Sequence, residues 1–583
     1  MIIKEIAIML NSRLSKAGFT RLGILLAAAA VLLLMLGGAG ALYYFKGTKT
    51  ITIQDVQSAE KISGLRLSTR EQKLLLPDLD SNLSRYKKLR SIPIPNHISP
   101  ALIFQPMISA SSPQDVLSQE SFREETDLDV PGNSEELAFM PVTALASLIK
   151  ARKITSLQLT TLYLERLKQY GPALKCVITL TEDLALHQAA RADEEIAAGK
   201  YRGPLHGIPW GAKDLLSTKG IPTTWGAMPY KDQVIDTDAT VVSRLEEAGA
   251  VLVAKLSMGA LAMGDVWFGG KTRNPWNMEQ GSSGSSAGPG AATAAGLVGF
   301  AIGTETLGSI ISPSTRCGVT GLRPTFGRVS RYGAMALSWS MDKIGPMCRS
   351  AEDCALVFAA IHGPDGKDLT VLEHPFSWKP ASGLEDIHIG YLHEAFEKSS
   401  NRENDEASLE VLRSLGLELV PFSLPDFPVQ ALSFILGAEA AAAFDDLTRN
   451  DRDNLMVRQG RGSWPNTFRQ ARFIPAVEYI QANRARTILM QEMSARMEGL
   501  DVYIAPTRGG DNLLLTNLTG HPTVVVPNGF DEKGSPTSIC FVGNLFAEAD
   551  ILAVAKAYQE ATSFHLKHPN LEVLPIEEAS ERK

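Results

Sequence analysis

The stretch from Gln280 to Arg328 constrains the fold of this chain more than any other, because glycine, serine, alanine and threonine dominate it. Two serine-bearing glycine turns, at Ser282–Ser286 and at Ser309, bracket the apolar segment Ala291–Ile302. Glycine lets the backbone approach a ligand closely and adopt positive φ, and two turns rich in N–H groups can face one reacting oxygen. A flexible linker is the alternative, but the uncharged, apolar central segment argues against it. The stretch therefore predicts a packed site formed by close backbone turns.

The composition is that of a globular protein without a nucleic-acid partner. Of the 583 residues, 44% are hydrophobic and 21% are charged, which is typical of globular chains. The length allows several domains, although α/β domains often exceed the usual domain size. The net charge of −7 gives no indication of the excess positive charge that nucleic-acid binding proteins carry. The five cysteines are odd in number and form no CxxC motif, which argues against a zinc site and against a disulfide framework.

An uncharged apolar run, Leu22–Phe45, predicts a transmembrane helix, since a bilayer crossing takes about 20 apolar residues. Four basic residues precede the run: Lys4, Arg13, Lys16 and Arg21. By the positive-inside rule, these charges keep the N-terminus in the cytoplasm and place the rest of the chain outside it. The alternative is a signal peptide cleaved near Ala41, which would leave a secreted or periplasmic protein. The run exceeds the usual apolar region of a signal peptide, about 7–15 residues, and this favours the anchor.

The chain divides into four predicted parts. Residues 1–21 form a short cytoplasmic N-terminus, and residues 22–45 form the transmembrane anchor or uncleaved signal. Residues 46–135 are predicted to be an N-terminal extension and linker, because this part is polar and prolines interrupt its second half. Residues 136–583 form the main domain.

Helical periodicity alternates with short apolar segments in the main domain. This alternation predicts an α/β fold with a mixed β-sheet core covered by helices on both faces. Helices are predicted from Thr143 to Leu167, over Thr181–Lys200 and over Thr240–Ala248. Strands are predicted at Val177–Leu180, Ala250–Ala254, Ile387–Ile389, Val502–Ile504 and Thr523–Val526. Two prolines and three glycines between Gly203 and Asp214 exclude a long helix, so a short strand bounded by turns is expected to carry Lys213.

Four motifs, ordered and correctly spaced, resemble those of the amidase signature family. They are Lys213-Asp214, the turn Gly281–Ser286, the segment Gly303–Ile310 and the segment Cys317–Thr325. The resemblance extends from about Thr143 to Thr562 and implies the amidase-signature fold. In that family the catalytic centre is a triad of a serine, a second serine that follows a cis peptide bond, and a lysine. The two serines lie 24 positions apart, so the resemblance assigns these roles to Ser309, Ser285 and Lys213.

These residues agree with the chemistry of acyl transfer, which needs a nucleophile, a base and donors for an oxyanion. Ser309 follows a glycine in a tight turn, so its hydroxyl can stand exposed as the nucleophile. A lysine with an ordinary pKa of about 10.4 is a poor base at neutral pH, but burial would favour the neutral form of Lys213. Ser285 then relays the proton from Ser309 to Lys213 and later to the leaving amine. The resemblance implies an oxyanion hole formed by four backbone N–H groups, those of Thr306, Leu307, Gly308 and Ser309.

Two residues depart from the family pattern and leave the substrate open. Leu307 stands where a glycine usually precedes Gly308. It is strained if the turn needs positive φ at that position, and otherwise it narrows the pocket. Ile311 replaces the usual arginine after Ile310, so substrates bound through a carboxylate become less expected. Ser312 follows at a position that varies more within the family.

One further motif and two histidines are interpreted as non-catalytic. Gly284–Gly288 matches the G-x-S-x-G nucleophile elbow, which requires a preceding strand. The preceding segment, Asn274–Gly281, is predicted to be a turn, so the match is set aside. His206 and His521 lack motif support as bases and are interpreted as structural or pocket-wall residues.

Three functions are compatible with these residues. The favoured one is a membrane-tethered hydrolase of small-molecule carboxamides that uses neither a metal ion nor an organic cofactor, with a possible homodimer as its assembly. The second is a catalytically inactive relative that serves as a binding or scaffold protein, with Leu307 as its main support. The third is the transamidase subunit that supplies ammonia to a tRNA-bound partner. The N-terminal apolar run argues against the third function, since such work is cytoplasmic.

Overall fold

The computed structural model describes residues 51–63, 128–378, 384–460, 462–472, 474–508 and 510–572, together with positions 69, 72, 73, 76 and 122. The predicted anchor Leu22–Phe45 and the alternative cleavage site near Ala41 lie outside the described residues. Within the described ranges, no helix is both long enough and apolar enough to cross a membrane. The chain divides into two compact units, Met1–Ile94 and Pro95–Lys583. The domain limits inferred from the sequence remain predictions.

In the first unit, the helix α1 (Ile53–Ser63) begins at a reciprocal cap. The hydroxyl of Thr52 accepts a hydrogen bond from the N–H of Asp55 at 3.3 Å, and the Asp55 carboxylate accepts one from the N–H of Thr52 at 2.8 Å. The two residues thus satisfy donors that helix geometry leaves free at an N-terminus.

A large mixed sheet forms the centre of the second unit, with eleven strands among the described residues. The strands of this unit are β1 (Val177–Leu180), β2 (Pro209–Lys213), β3 (Val251–Leu256), β4 (Val266–Trp267), β5 (Gly270–Lys271), β6 (Arg273–Asn274), β7 (Asn277–Gly281), β8 (Phe300–Glu305), β9 (Thr320–Arg323), β10 (Lys343–Cys348), β11 (Ile389–Leu392), β12 (Leu419–Phe422), β13 (Val502–Pro506), β14 (Thr523–Phe530) and β15 (Pro536–Gly543). The sheet has the spatial order β1-β3-β2-β8-β10-β9-β14-β15-β13-β11-β12, while β4–β5 and β6–β7 form two small hairpins. Strand β2 is parallel to both of its neighbours, β3 and β8, whereas β10 is antiparallel to β8. The predicted α/β fold with a mixed sheet is confirmed.

Helices pack on both faces of this sheet. The helices of this unit among the described residues are α2 (Ser134–Phe139), α3 (Val142–Lys150), α4 (Ser156–Leu174), α5 (Glu182–Ala197), α6 (Thr240–Glu247), α7 (Ala287–Ala294), α8 (Ile311–Cys317), α9 (Ala351–Ile361), α10 (His393–Glu397), α11 (Arg402–Ser414), α12 (Phe434–Ala443), α13 (Asp445–Arg449), α14 (Trp464–Ala471), α15 (Ala476–Arg496), α16 (Asn512–Thr519) and α17 (Glu548–Thr562). Successive side chains of a strand point to opposite faces of a sheet. In β8, Phe300 and Ile302 join a core cluster that contains Leu145 of α3. Ala301, between them, joins a second cluster with Ala291 of α7, so helices cover both faces.

The predicted helix from Thr143 to Leu167 is two helices in the structure, α3 and α4. Thr155 caps α4, because its hydroxyl accepts the N–H of Gln158 at 3.0 Å. The side-chain oxygen of Gln158 accepts the N–H of Thr155 at 2.9 Å in return. This capping box starts a new helix although the apolar periodicity continues across the break.

Two other predicted segments also differ. The strand predicted at Ile387–Ile389 begins only at its last residue, as β11, because a 3-10 turn over Leu384–Asp386 precedes it. The segment Asn274–Gly281, predicted to be a turn, contains β7 and the end of β6. The Asn274 side chain accepts the N–H of Trp276 at 3.1 Å and thereby closes the tight loop between these two strands.

Candidate active site

Lys213 is placed by the parallel strand β2, of which it is the last residue. The register pairs Lys213 with Leu256 of β3 and pairs Ala212 with Ile302 of β8. In open α/β sheets, ligands bind beyond the carboxyl ends of the strands. Lys213 is 0% exposed, so the strand carries its amine into the interior at that edge. The prediction that a short strand carries this lysine is confirmed.

Four oxygen atoms surround the Lys213 amine. Nζ donates to Ser285 Oγ at 2.9 Å and to Ser286 Oγ at 3.0 Å. It also donates to Thr304 Oγ1 at 2.8 Å and lies 3.3 Å from the carbonyl oxygen of Thr304. All four oxygen atoms are uncharged, so none compensates an ammonium charge as a carboxylate would.

Burial lowers the pKa of Lys213 from 10.5 to about 7. The cause is lost hydration, which disfavours the charged form of a lysine. The charges of Asp342 and Glu305 act in the opposite direction and raise the pKa. With a pKa of about 7, a large fraction of this side chain is neutral near pH 7 and can accept a proton.

A tightly packed turn before α7 places Ser285 beside Lys213. The peptide bond between Gly284 and Ser285 is cis, as the family resemblance implied. A Cβ atom on Gly284 would lie 1.9 Å from the carbonyl oxygen of Gly264, so only glycine fits at this position. The carbonyl of Ser285 accepts the N–H of Gly259 at 3.3 Å and so fixes the turn against the loop that follows β3.

Ser309 lies in the turn between β8 and α8 and is 8% exposed. The backbone ties it to the segment of Ser285, since the carbonyl of Ser309 accepts the N–H of Ser286 at 3.1 Å. No residue in the described ranges forms a hydrogen bond with the Ser309 hydroxyl. The structure therefore brings Lys213 and Ser285 into direct contact and connects Ser309 to them through the backbone.

The turn Thr306–Ser309 presents four consecutive backbone N–H groups for which the described part of the chain provides no acceptor. The left-handed conformation falls at Gly308, with φ of 82°, and not at Leu307, so the strain considered for Leu307 does not arise. Leu307 instead packs half-buried against an apolar cluster that includes Met341. Free N–H groups in a turn form an anion-binding arrangement. This turn can therefore bind an oxyanion beside Ser309.

Glu305, which sequence reasoning missed, holds the chain just after this turn. Its Oε2 accepts the N–H groups of Ile310 and Ile311 at 2.8 Å and 3.0 Å. Its Oε1 accepts hydrogen bonds from Arg323 Nη1 and from Asn517 Nδ2, both at 2.9 Å. The carboxylate thus satisfies the N–H groups that start α8 and leaves those of the preceding turn free.

The pKa of Glu305 is about 2. Burial raises the pKa of this carboxyl, but the charge of Arg323 and the N–H of Ile311 outweigh burial. Glu305 is therefore ionised at neutral pH. The motif Gly303–Ile310 contains this residue, but the sequence gives no sign of its partners, which come from other strands and helices.

Ser286 is a second residue of the site that sequence reasoning missed. Its Oγ accepts a hydrogen bond from Lys213 and one from the N–H of Thr304 at 3.1 Å, and it donates to the carbonyl of Thr304 at 3.1 Å. Ser286 is the middle residue of the G-x-S-x-G match. The expectation that no strand precedes this match is wrong, since β7 ends at Gly281. The contacts of Ser286 make it a support for the lysine.

A cavity of about 310 Å³ lies beside α8. Ile311 and Leu513 line this cavity, and Ile311 packs with Cys540 in an apolar cluster. The exposed side chain of Arg508 lines the cavity as well. Although Ile311 stands in place of the family arginine, Arg508 still supplies a positive charge at this cavity.

The two histidines that the sequence interpretation set aside have structural contacts. His206 Nδ1 accepts the N–H of Arg202 at 3.1 Å, and its Nε2 lies 3.3 Å from Glu195. His521 Nδ1 lies 2.8 Å from the hydroxyl of Thr519. Burial lowers the pKa of both imidazoles, that of His521 to about 3. In the described ranges, no group of three or more His, Cys, Asp and Glu side chains is arranged to hold a metal ion.

Comparisons with known proteins agree on one family. A family model described as Amidase matches residues 158–552. A glutamyl-tRNA(Gln) amidotransferase subunit from Roseiflexus sp. (strain RS-1) is 36% identical over 470 residues, which cover 72% of this chain and 96% of that protein. The structure of the native peptide amidase from Stenotrophomonas maltophilia has a TM-score of 0.67 at 29% identity, with 74% of this chain and 99% of that chain covered. An amidase family protein from Bacillus anthracis str. Ames has a TM-score of 0.68 at 27% identity, with 75% and 94% covered.

Proposed function

Since this chain belongs to the amidase signature family, we propose that it hydrolyses the C–N bond of small-molecule carboxamides through an acyl-enzyme on Ser309. The observation that carries the proposal is the buried amine of Lys213, which lies 2.9 Å from Ser285 Oγ and has a pKa of about 7. A lysine in that state has the properties of a general base. The proposed chemistry needs neither a metal ion nor an organic cofactor.

In the proposed mechanism, the neutral amine of Lys213 accepts the hydroxyl proton of Ser285 while Ser285 takes the proton of Ser309. Oγ of Ser309 bonds to the carbonyl carbon of the substrate, and the N–H groups of Thr306–Ser309 bind the oxyanion that forms. As the C–N bond breaks, Ser285 delivers a proton to the leaving amine and regains one from Lys213. A water molecule then attacks the acyl-enzyme along the same proton path, which releases the carboxylic acid and restores Ser309.

A second candidate function follows from the curated relatives. The Roseiflexus protein, at 36% identity, is a glutamyl-tRNA(Gln) amidotransferase subunit. A chain with that function would supply ammonia to a tRNA-bound partner. The same three side chains would serve both functions, so the two differ in the amide donor and in the need for a partner.

We expect the purified full-length chain, in detergent and without a partner, to hydrolyse at least one member of a panel of aryl, fatty and amino-acid amides. The measurement is release of amine or ammonia at mildly alkaline pH, where Lys213 is neutral. Ser285→Ala should lose this activity, because the path from Ser309 to Lys213 is interrupted. Activity seen only in the presence of tRNA and a partner protein would favour the amidotransferase function instead. Light scattering on the same sample tests the expectation of a homodimer.

We further propose that Leu22–Phe45 anchors the chain in a membrane, with its N-terminus in the cytoplasm and its catalytic domain outside. The apolar run and the four basic residues before it support this proposal. We expect the full-length chain to remain in the membrane fraction after alkaline carbonate washing, whereas a variant lacking residues 22–45 should be recovered in the soluble fraction. A mature N-terminus just after Ala41, together with soluble recovery of the full-length product, would contradict the anchor. That result would support the secreted or periplasmic alternative.

A further inference from the structure

We propose that Asp342 is a positioning residue for the amide-hydrolysing site. Its carboxylate holds the Thr306 end of the turn whose N–H groups lie beside Ser309. This inference rests on the proposed function and adds a residue that lies outside the triad and outside the turn itself.

The sheet brings Asp342 to the turn. The antiparallel register pairs Lys343, the first residue of β10, with Glu305, the last residue of β8. Asp342 and Thr306 are the residues next to this pair, so they face each other as the two strands end. Asp342 Oδ1 accepts the hydroxyl of Thr306 at 2.6 Å. The contact fixes Thr306 at the point where the chain leaves the sheet and enters the turn.

The rest of the carboxylate is fixed by the backbone. Asp342 Oδ2 accepts the N–H groups of Leu337 and Ser338 at 2.8 Å and 3.0 Å. All three partners of Asp342 donate, and a carboxylate that accepts several hydrogen bonds is held in place more strongly than one with a single contact. Asp342 therefore joins the loop before β10 to the turn after β8.

A neighbouring carboxylate binds the same loop without touching the turn. Glu439 of α12 accepts the hydroxyl of Ser338 at 2.7 Å, and it accepts the N–H and the hydroxyl of Ser340 at 3.0 Å and 2.7 Å. Its further partner is the hydroxyl of Tyr479, at 2.7 Å. Among the described residues, none of the turn Thr306–Ser309 forms a hydrogen bond with Glu439. A substitution of Glu439 therefore serves as a matched control, because it should loosen the loop before β10 without removing a contact to the turn.

Asp342 also acts on the proton acceptor through its charge. Asp342 and Glu305 are the charged groups that stabilise the Lys213 ammonium, and Asp342 has the larger effect. The direct partners of Lys213, two serines and Thr304, are uncharged. The neighbouring Asp214 is paired with Lys255 at 3.0 Å, so these two charges offset one another. Removal of the Asp342 charge should therefore lower the pKa of Lys213.

The test uses the full-length enzyme in detergent and the variants Asp342→Asn, Thr306→Val, Thr306→Ser and Glu439→Gln. We expect Asp342→Asn and Thr306→Val to lower kcat about tenfold or more with little change in KM. Thr306→Ser, which keeps the hydroxyl, should restore most of kcat. The double variant of Asp342→Asn with Thr306→Val should be no slower than Asp342→Asn alone, since both changes act on the same hydrogen bond. In Asp342→Asn the acid limb of the kcat/KM profile should move to lower pH, while Glu439→Gln should leave that limb in place.

Three results would overturn the inference while leaving the proposed function intact: wild-type kcat and pH profile in Asp342→Asn, additive losses in the double variant, or equal losses in Thr306→Ser and Thr306→Val. A thermal unfolding scan shows which variants are folded. If Asp342→Asn does not fold, the kcat values of Thr306→Ser and Thr306→Val decide whether the hydrogen bond to Asp342 supports catalysis. A wild-type chain that neither hydrolyses amides nor reacts with a serine-directed probe would overturn the proposed function itself, and this inference with it.

Discussion

Replacing Ser309 with alanine should lower kcat for amide hydrolysis by at least about 10⁴-fold, because the acyl-enzyme can no longer form. Stability should change little, since no described residue forms a hydrogen bond with the Ser309 hydroxyl. The measurement is amine release, together with covalent labelling by a fluorophosphonate, which traps an activated serine. The wild-type chain should be labelled and Ser309→Ala should not.

Ser312→Ala is the matched control for this prediction. Ser312 is a neighbouring serine at the start of α8, and a Cβ atom on Gly308 would lie 3.1 Å from its Oγ. It has no part in the proposed proton path, so its removal should leave labelling intact. Labelling of Ser309→Ala at the wild-type rate would contradict the choice of nucleophile. Failure to label the wild-type chain would favour the inactive binding or scaffold protein, although Leu307 adopts no positive φ that would support that function.

The three proposed catalytic residues could be named from the sequence because each lies in a continuous motif of known spacing. Lys213 and Ser285 are 72 positions apart and still form a direct hydrogen bond. Neither residue type points to catalysis on its own, since most lysines are solvated and most Gly-Ser stretches are linkers. The order and spacing of the motifs identified these residues as candidates, which composition alone could not do.

The residues that support the site could not be predicted, because sheet order decides them rather than local sequence. Glu305 meets Arg323 and Asn517 only because β8, β9 and α16 converge, and Asn517 is 212 positions away. Asp342 meets Thr306 only because β10 pairs with β8. The break between α3 and α4 is a different case. The capping box of Thr155 and Gln158 is formed by residues close in sequence. The helical spacing of apolar residues continues across it, however, so the sequence pattern predicted one helix where the structure has two.

Lys213→Ala should lower kcat/KM at neutral pH by about 10²–10⁴-fold, the usual contribution of a general base. In the wild-type chain, kcat/KM should rise with pH, about tenfold per unit below pH 7, and level off above the Lys213 pKa of about 7. The rise of kcat/KM with pH follows from the role of Lys213 as a base. The neutral amine is the base, so protonation below the pKa removes it, and higher pH restores it. A full pH profile of kcat/KM for wild type and variant measures both effects.

Lys343→Met provides the control, since Lys343 is another buried lysine whose pKa burial lowers well below its usual range. Its Nζ donates to the carbonyl of Met341 and not to Ser285, so this variant should keep an acid limb near pH 7. If Lys343→Met lost the limb and Lys213→Ala kept it, the base would have been assigned to the wrong lysine. If Lys213→Ala were inactive but the wild type showed no limb near 7, Lys213 would act on Ser285 as a fixed hydrogen-bond donor. The proton from Ser309 would then need a different acceptor.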